Sequence, residues 1–589
     1  MKATIYDCIM VQLRGIAASP GIAIGNVLIY SENVPHVPQY PIDRGHLQQE
    51  KDRLSEAVER ASNDIEDIKK NPSQKLEKDE HQLLESHQLM LKDPSFFETV
   101  HARLEEELLN IEWVLYETVQ ELMDKLSQSG DAYLKERTSD LHDVSKRVLN
   151  HLLQRDQVSL AELKEEVVLV THDLMPSDAV AMNKRMIRAI AMDAGGKTSH
   201  TAIIARSFEI PAVLGLSRIT RALSGGEQII VDGNQGVVII DPDPETLERY
   251  NRLQGEWHEH EVELMRLNDL PAETKDGKLI WLKGNIEISE EVDGVVSHGA
   301  DGIGLFRSEF LFLRPDGLPS EDEQTQAYRR VLESMGRRPV TIRTLDVGGD
   351  KISPGINSGD EKNPILGWRA IRVCLSEQAV FRTQLRAMLR ASVYGQMRIM
   401  FPMISGMPEL NQALEILEDV RAELRHEGQP FDEQIPVGIM VEVPSAALIS
   451  DTLARKVDFF SIGTNDLIQY TIAVDRGNER TAYLYQPFHP GVLRLIKMVI
   501  DNAHQEGLSV AMCGEMAGDP LATVVLLGLG LDEFSMGAVG IPEVKRIIRS
   551  VSLSDAEELA GNIMELRTAE EIDRAVREHM QQRFNLALY

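Results

Sequence analysis

Between residues 47 and 68 the apolar positions Leu47, Leu54, Val58, Ala61, Ile65 and Ile68 are spaced by steps of three, four or seven. That spacing lines one face of a helix, and Asp43 stands where its N-cap is expected. Similar patterns run around Leu76 to Leu91, Phe96 to Leu126 and Tyr133 to Leu153, broken by the turn signals DPS at 93 and QSGD at 128. Four helices on short links predict a bundle or paired hairpins. The pattern on either side is different. GIAASPGIAIGNVLIY precedes the helices, and EVVLVT, MIRAIAMD, EQIIVDG and GVVIID follow them, as β-branched runs bounded by Gly and Asp. These read as strands of one α/β domain that the helices interrupt. A polar helical stretch, ETLERYNRLQGEWHEHEVELMRL, then reads as a connector. Beyond Leu270 eight apolar runs alternate with helical segments: IWLKGNI, DGIGLFR, VTIRTLD, MRIMFPM, VGIMVEV, FFSIGT, SVAMCGE and EFSM. Eight such repeats predict a closed parallel (β/α)8 barrel of the TIM type, with an open doubly wound sheet as the alternative.

The expected organisation is therefore an α/β multidomain chain. Residues 1–14 form an N-terminal extension, 15–35 and 156–241 the α/β domain, 36–155 the inserted helical subdomain, 242–269 the linker and 270–589 the barrel. Polar residues stand at the strand ends: Arg307 and Glu309, Arg343 and Asp346, Glu442, Asn465 and Asp466, Cys513 and Glu515. In a barrel those ends make one rim, where active sites lie.

Composition narrows the class. A chain of 589 residues exceeds the reach of one hydrophobic core, and its 43% hydrophobic and 26% charged residues are those of a folded, water-soluble protein. The net charge of -31 argues against nucleic acid or an anionic membrane as partner and suits a basic protein. Cys8, Cys374 and Cys513 are too few and too scattered for a disulfide framework or a thiolate zinc site. No stretch reads as a signal peptide or a membrane span, so a cytoplasmic enzyme is expected.

The stretch GGKTSHTAIIARS places His200 after two glycines and before an apolar helical run. Packing is the ordinary fate of a histidine, and zinc would need further ligands that this loop lacks. Gly195 and Gly196 permit close approach of the backbone to a ligand, the helix start offers free N–H donors, and Lys197, Thr198 and Ser199 add charge and hydroxyls. The loop suits phosphate, toward which a neutral imidazole is a competent nucleophile. In the barrel, Arg307 and Arg343 are either surface arginines or forks for phosphate or carboxylate. Glu442 and Asp466 either pair with those arginines or hold Mg²⁺ with positions left for water and substrate. Cys513 is either a small core residue or a proton donor. Together these types suit a phosphorylated, carboxylated enol.

The segments GGKTSHTAIIARSFEIPAVLG, DGIGLFRSEFLF, IRTLDVGGDK, NPILGWRAIR, MRIMFPMIS, VEVPSAA, DFFSIGTNDLIQYTIAVDRGN, YQPFHP and MCGEMAGD closely resemble Enzyme I of the phosphoenolpyruvate-dependent phosphotransferase system. The likeness runs from GIAASPGIAIG at 15 to roughly 575, nearly the whole chain. It implies that His200 takes the phosphoryl group of phosphoenolpyruvate, releasing pyruvate, and passes it to a histidine of the carrier protein HPr. Arg307, Arg343, Asn465, Asp466 and Arg476 would bind phosphoenolpyruvate, Glu442 and Asp466 would bind Mg²⁺, and Cys513 would protonate enolpyruvate. The resemblance further implies a swivelling phosphohistidine domain, docking of HPr on the helical insertion, and a homodimer through the barrel.

Two positions depart from the family pattern. Lys197 stands where many members have arginine, and Ala179 where some have threonine. Neither change removes a catalytic group. A nitrogen-branch Enzyme I is one alternative. A phosphoenolpyruvate synthase or dikinase is another, but the chain has no length to spare for a nucleotide-binding domain. A regulatory protein that kept the fold and lost turnover would show broken sites, whereas all the catalytic positions are filled.

Overall fold

Short β-branched runs in the first part of the chain pair into one eight-stranded sheet. In the computed structural model, residues 10–30, 37–70, 87–88, 90–91, 94–128, 132–153, 160, 163, 165–174, 182–183, 185–195, 201, 205, 210–223, 225–312, 317–348, 363–475 and 480–583 are described. The chain falls into two units that part at His258 and Glu259, within the helix Pro244–Met265.

In the first unit, β1 (Val11–Arg14), β2 (Ile16–Ser19) and β3 (Ile22–Tyr30) precede the helices. After them come β4 (Val167–Thr171), β5 (Ile187–Met192), β6 (Ala212–Leu214), β7 (Gln228–Asp232) and β8 (Val237–Ile240). Their order is β1-β8-β7-β3-β4-β5-β6-β2, with β3 to β6 parallel. Val11–Arg14, expected in the N-terminal extension, is an edge strand antiparallel to β8.

The insertion folds as the helices Leu47–Lys70, Pro94–Glu107, Ile111–Gln128 and Ala132–Leu152. Leu54, Ala61 and Ile65 are buried against Val100, Leu104, Val114 and Val148, as the helical spacing predicts. The pattern read from Phe96 to Leu126 is two helices, not one. Leu108 takes a φ of 51°, and the Asn110 side chain accepts from Tyr40 N at 2.9 Å and donates to the Pro38 carbonyl at 2.8 Å. The Leu108 carbonyl accepts from Ile42 N at 2.8 Å and Asn110 N donates to the Tyr40 carbonyl at 3.1 Å, so the backbone at the break is engaged outside the helix. Asp43 makes no side-chain cap; its carbonyl instead closes the 3-10 turn Arg44–His46 by accepting from His46 N at 2.8 Å. Most of the pattern from Leu76 to Leu91 lies outside the described residues.

In the second unit β9 (Ala272–Glu273) lies antiparallel to β10 (Leu279–Ile286). There follow β11 (Gly302–Arg307), β12 (Val340–Arg343), β13 (Met397–Phe401), β14 (Val437–Val441), β15 (Phe459–Ile462), β16 (Ser509–Met512) and β17 (Glu533–Met536). Each of β10 to β17 pairs in parallel with the next, and β17 pairs back on β10, so the eight close into a barrel. The eight apolar runs of the sequence are these eight strands. Inside the barrel, Glu533 at the start of β17 meets Lys283 and Arg398, and the Arg398 guanidinium lies 3.8 Å from the centroid of the Phe459 ring. Phe459 packs with Leu305, Met400, Met440 and Cys513 in an apolar layer of the barrel interior.

Candidate active site at the barrel rim

The rim is built from residues that directly follow or end the strands. Arg307 and Arg343 are the last residues of β11 and β12 and are paired in register, so their side chains rise from adjacent strands. Arg343 NH2 donates to Glu309 Oε1 at 3.0 Å, and NH1 lies 2.9 Å from Asp346 Oδ2. Burial alone would lower the proton affinity of this guanidinium; the carboxylates of Glu309, Asp346 and Glu442 together reverse that and raise it. It stays charged. Its Nε is buried and has no hydrogen-bond partner among the described residues. Such a donor costs about 1–3 kcal/mol until an acceptor reaches it. Arg307 NH1 donates to Glu287 Oε1 and is more exposed.

Arg369 was not assigned a role from the sequence. Its Nε donates to Asp346 Oδ1 at 3.1 Å, NH2 donates to Asp346 Oδ2 and Asp466 Oδ2 at 3.1 Å each, and NH1 donates to Tyr470 OH at 3.2 Å. It reaches the rim through an isolated antiparallel bridge to Gly348. A Cβ on Gly348 would lie 2.0 Å from Arg369 Cβ, so the approach requires glycine there. The quoted motif NPILGWRAIR holds this arginine, but no periodicity marks it because it lies in irregular chain after β12. Asp346 is buried, yet Arg343 and Arg369 outweigh its desolvation and hold it below the usual carboxylate range.

Glu442 follows β14 and is 2% exposed. Its Oε1 accepts from Met403 N at 2.6 Å, and a Cβ on Gly463 would come within 2.9 Å of Oε2. Burial first, then repulsion from Asp466 and Asp346, push its carboxyl well above the ordinary glutamate range. Glu442 and Asp466 offer hard oxygen donors in a neighbourhood with excess negative charge, which a divalent cation relieves. Among the described residues no group of three His, Cys, Asp or Glu side chains converges on a metal position. A cation held by Glu442 and Asp466 would take its remaining ligands from water and substrate.

Asn465 and Asp466 open the helix Thr464–Ile472, which starts two residues after β15. Asn465 Oδ1 accepts from Glu515 N at 3.0 Å, tying this end to the segment after Cys513. Cys513 is 3% exposed, and its sulfur accepts from Ser461 Oγ at 3.3 Å. Burial raises its thiol above the free value, so it keeps its proton at neutral pH. Its carbonyl accepts from Asn285 Nδ2 at 3.0 Å, and Asn285 Oδ1 accepts from Ser535 Oγ at 2.6 Å. The structure thus brings Arg307, Arg343, Glu442, Asn465, Asp466 and Cys513 to one rim, and adds Arg369 and Tyr470.

In the first unit, the strand and turn before His200 are described as far as Gly195, whose φ of 100° is one that side-chain-bearing residues rarely adopt. Asp193 Oδ1 accepts from Ile219 N at 2.5 Å, and Ala194 N donates to the His172 carbonyl at 2.8 Å. These bonds hold the approach to the loop. His200 itself, Lys197, Ala179 and Arg476 lie outside the described residues, as does Cys8.

A barrel rim of arginines and carboxylates suits a small phosphorylated acid, because guanidinium forks bind phosphate and carboxylate oxygens. Three family descriptions match in chain order: PEP-utilising enzyme, N-terminal, over residues 14–137; mobile domain over 163–236; and PEP-binding domain over 261–553. Phosphoenolpyruvate-protein phosphotransferase of Priestia megaterium is 44% identical over 95% of this chain and 98% of its own length. That of Bacillus subtilis is 44% identical over 97% and 100%, and that of Geobacillus stearothermophilus 45% over 95% and 96%. The chain belongs to the phosphoenolpyruvate-protein phosphotransferase family.

Proposed function

We propose that this chain is a transferase that moves the phosphoryl group of phosphoenolpyruvate to His200 and then to a histidine of an HPr-like carrier. The observation that carries this reading is the in-register pair Arg307 and Arg343, facing buried carboxylates on one barrel rim. It stands in a chain that is 44% identical to such phosphotransferases along its length. The full-length likeness to phosphotransferases weighs against a dikinase, and the nitrogen branch is not favoured.

In this reading Arg307, Arg343 and Arg476 bind the phosphate and carboxylate oxygens, with Asn465 completing the site. Glu442 and Asp466 hold Mg²⁺, which when bound neutralises charge on the phosphoryl and carboxylate oxygens. An imidazole nitrogen of His200 forms the new N–P bond while the bond from phosphorus to the enol oxygen breaks, and the electron pair stays on that oxygen. Cys513 gives its proton to the terminal carbon of the enolate, yielding pyruvate, and the thiolate regains a proton from water. His200 and the rim belong to different units, so the step needs them to meet; such closures gate many transfers. HPr docks on the helical insertion, and two chains pair through their barrels. No described helix is long and apolar enough to cross a membrane, and we place the chain in the cytoplasm. Incubation with labelled phosphoenolpyruvate and Mg²⁺ should place acid-labile phosphate on the wild-type protein and none on His200→Ala. Label retained by His200→Ala would sink the assignment.

A further inference from the structure

Behind the rim arginines runs a chain of buried amide and hydroxyl groups. Gln384, on the helix Gln378–Ala391, has no solvent exposure, and neither do Ser308 and Tyr328. Gln384 Oε1 accepts from Leu345 N at 2.9 Å. Its Nε2 donates to Ser308 Oγ at 2.9 Å and to Tyr328 OH at 3.2 Å. Ser308 Oγ in turn donates to the Arg343 carbonyl at 2.7 Å, and Tyr328 OH donates to Gln324 Oε1 at 3.3 Å. Every polar atom of the Gln384 side chain is thereby engaged, the condition under which a buried polar network rigidifies its surroundings.

The placement is specific. The register between β11 and β12 ends at the pair Arg307 and Arg343, and the backbone then leaves the ladder. One bond of Gln384 grips Ser308, the residue before Glu309; the other grips Leu345, the residue before Asp346. Glu309 and Asp346 are the two carboxylates that hold the Arg343 guanidinium, and Glu309 Oε1 also accepts from Asp346 N at 3.0 Å. A single side chain from a neighbouring helix therefore bridges the residues that precede the two anions, beside the direct bond from Asp346 N to Glu309. An apolar side chain of the same size would fill the volume and leave Leu345 N buried without an acceptor.

We propose that Gln384, acting through Ser308 and Leu345, is a positioning residue for Arg343 and Asp346 in the reaction with phosphoenolpyruvate. This rests on the reading of the rim as the phosphoenolpyruvate site. The test uses the full chain carrying Gln384→Met and follows kcat and KM in phosphoenolpyruvate–pyruvate exchange. In parallel it follows transfer from phosphorylated HPr back to His200, which does not use the rim. Val420→Ala, a core truncation on the helix Met407–Glu427, serves as the control for a general loss of stability. The expected result for Gln384→Met is a fall of roughly tenfold or more in kcat/KM for phosphoenolpyruvate, with transfer from phosphorylated HPr unchanged. Combined with Arg343→Lys, it should add little to the loss that Arg343→Lys causes alone, because both act on one guanidinium. Losses that multiply, or a Gln384→Met exchange rate no lower than that of Val420→Ala, would overturn the proposal. If Gln384→Met fails to fold, Ser308→Ala removes the hydroxyl link and is read in the same way. An Arg343→Lys chain with unaltered exchange would overturn the rim reading itself, and this proposal with it.

Discussion

At the scale of single residues, the rim works by setting opposite charges against burial. Arg343 sits between Glu309 and Asp346, and Arg369 between Asp346 and Asp466, so each cation is flanked by two anions. Glu442 is buried and has repulsive carboxylate neighbours, and both disfavour its charge. Burial acts in the same direction on Cys513, a thiol packed with Leu305, Met400, Met440 and Phe459. Desolvation keeps it protonated, the state a donor needs. Cys513→Ala is expected to keep the fold and to lower pyruvate formation by about 100-fold or more, the scale of a lost general acid. Rapid-quench measurement of pyruvate release checks this, and an unaltered rate would remove Cys513 from the chemistry. The strand-end position made Cys513 legible in the sequence. Arg369 was not, because a close approach at Gly348 brings it in from irregular chain.

At the scale of elements, the hydrophobic periods located all eight barrel strands and the four described insertion helices, two of which read as one pattern in the sequence. What periodicity missed are the short pieces and the breaks. β6 has three residues, too few to show alternation, and the break at Leu108 to Asn110 is made by contacts with residues 38–41. Another non-local bond caps a helix. Asp276, in the turn between β9 and β10, accepts from Leu553 N at 2.8 Å and Ser554 N at 3.3 Å, at the start of the helix Leu553–Met564. Those backbone donors, with Thr274, lower its carboxyl from 3.8 to about 2. A depressed carboxylate adds stability above its unfolded value, and that contribution fades as pH falls from 3.8 through about 2. The thermal midpoint of Asp276→Ala should therefore lie below wild type at pH 6, with the gap narrowing toward pH 3. A gap that stays constant with pH would mean that the carboxylate charge is not what caps the helix.

At the scale of the molecule, the proposed chemistry is divided between two units. The candidate rim is built wholly from residues after Glu259, and the loop that carries His200 belongs to the unit that ends at His258. Each half of the reaction should then survive damage to the other. His200→Ala is expected to bind phosphoenolpyruvate with wild-type affinity by calorimetry. Arg343→Gln is expected to accept a phosphoryl group from phosphorylated HPr at the wild-type rate while losing reaction with phosphoenolpyruvate. Loss of phosphoenolpyruvate binding in His200→Ala would show that the first unit contributes to the substrate site.

The sequence by itself determined the class of each region, because helical and strand periods are local and burial of an apolar face follows from them. It also marked the rim candidates, since the ends of eight parallel strands must share one face of a closed barrel. Only the tertiary structure decided which polar groups meet: the pairing of Arg369 with Asp346 and Asp466, the clamp of Gln384 on Ser308 and Leu345, and the cap of Asp276 on Leu553. Each joins positions far apart in the chain through one or two hydrogen bonds. No periodic signal records such contacts; they exist because a close-packed fold brings distant backbone within reach of a side chain.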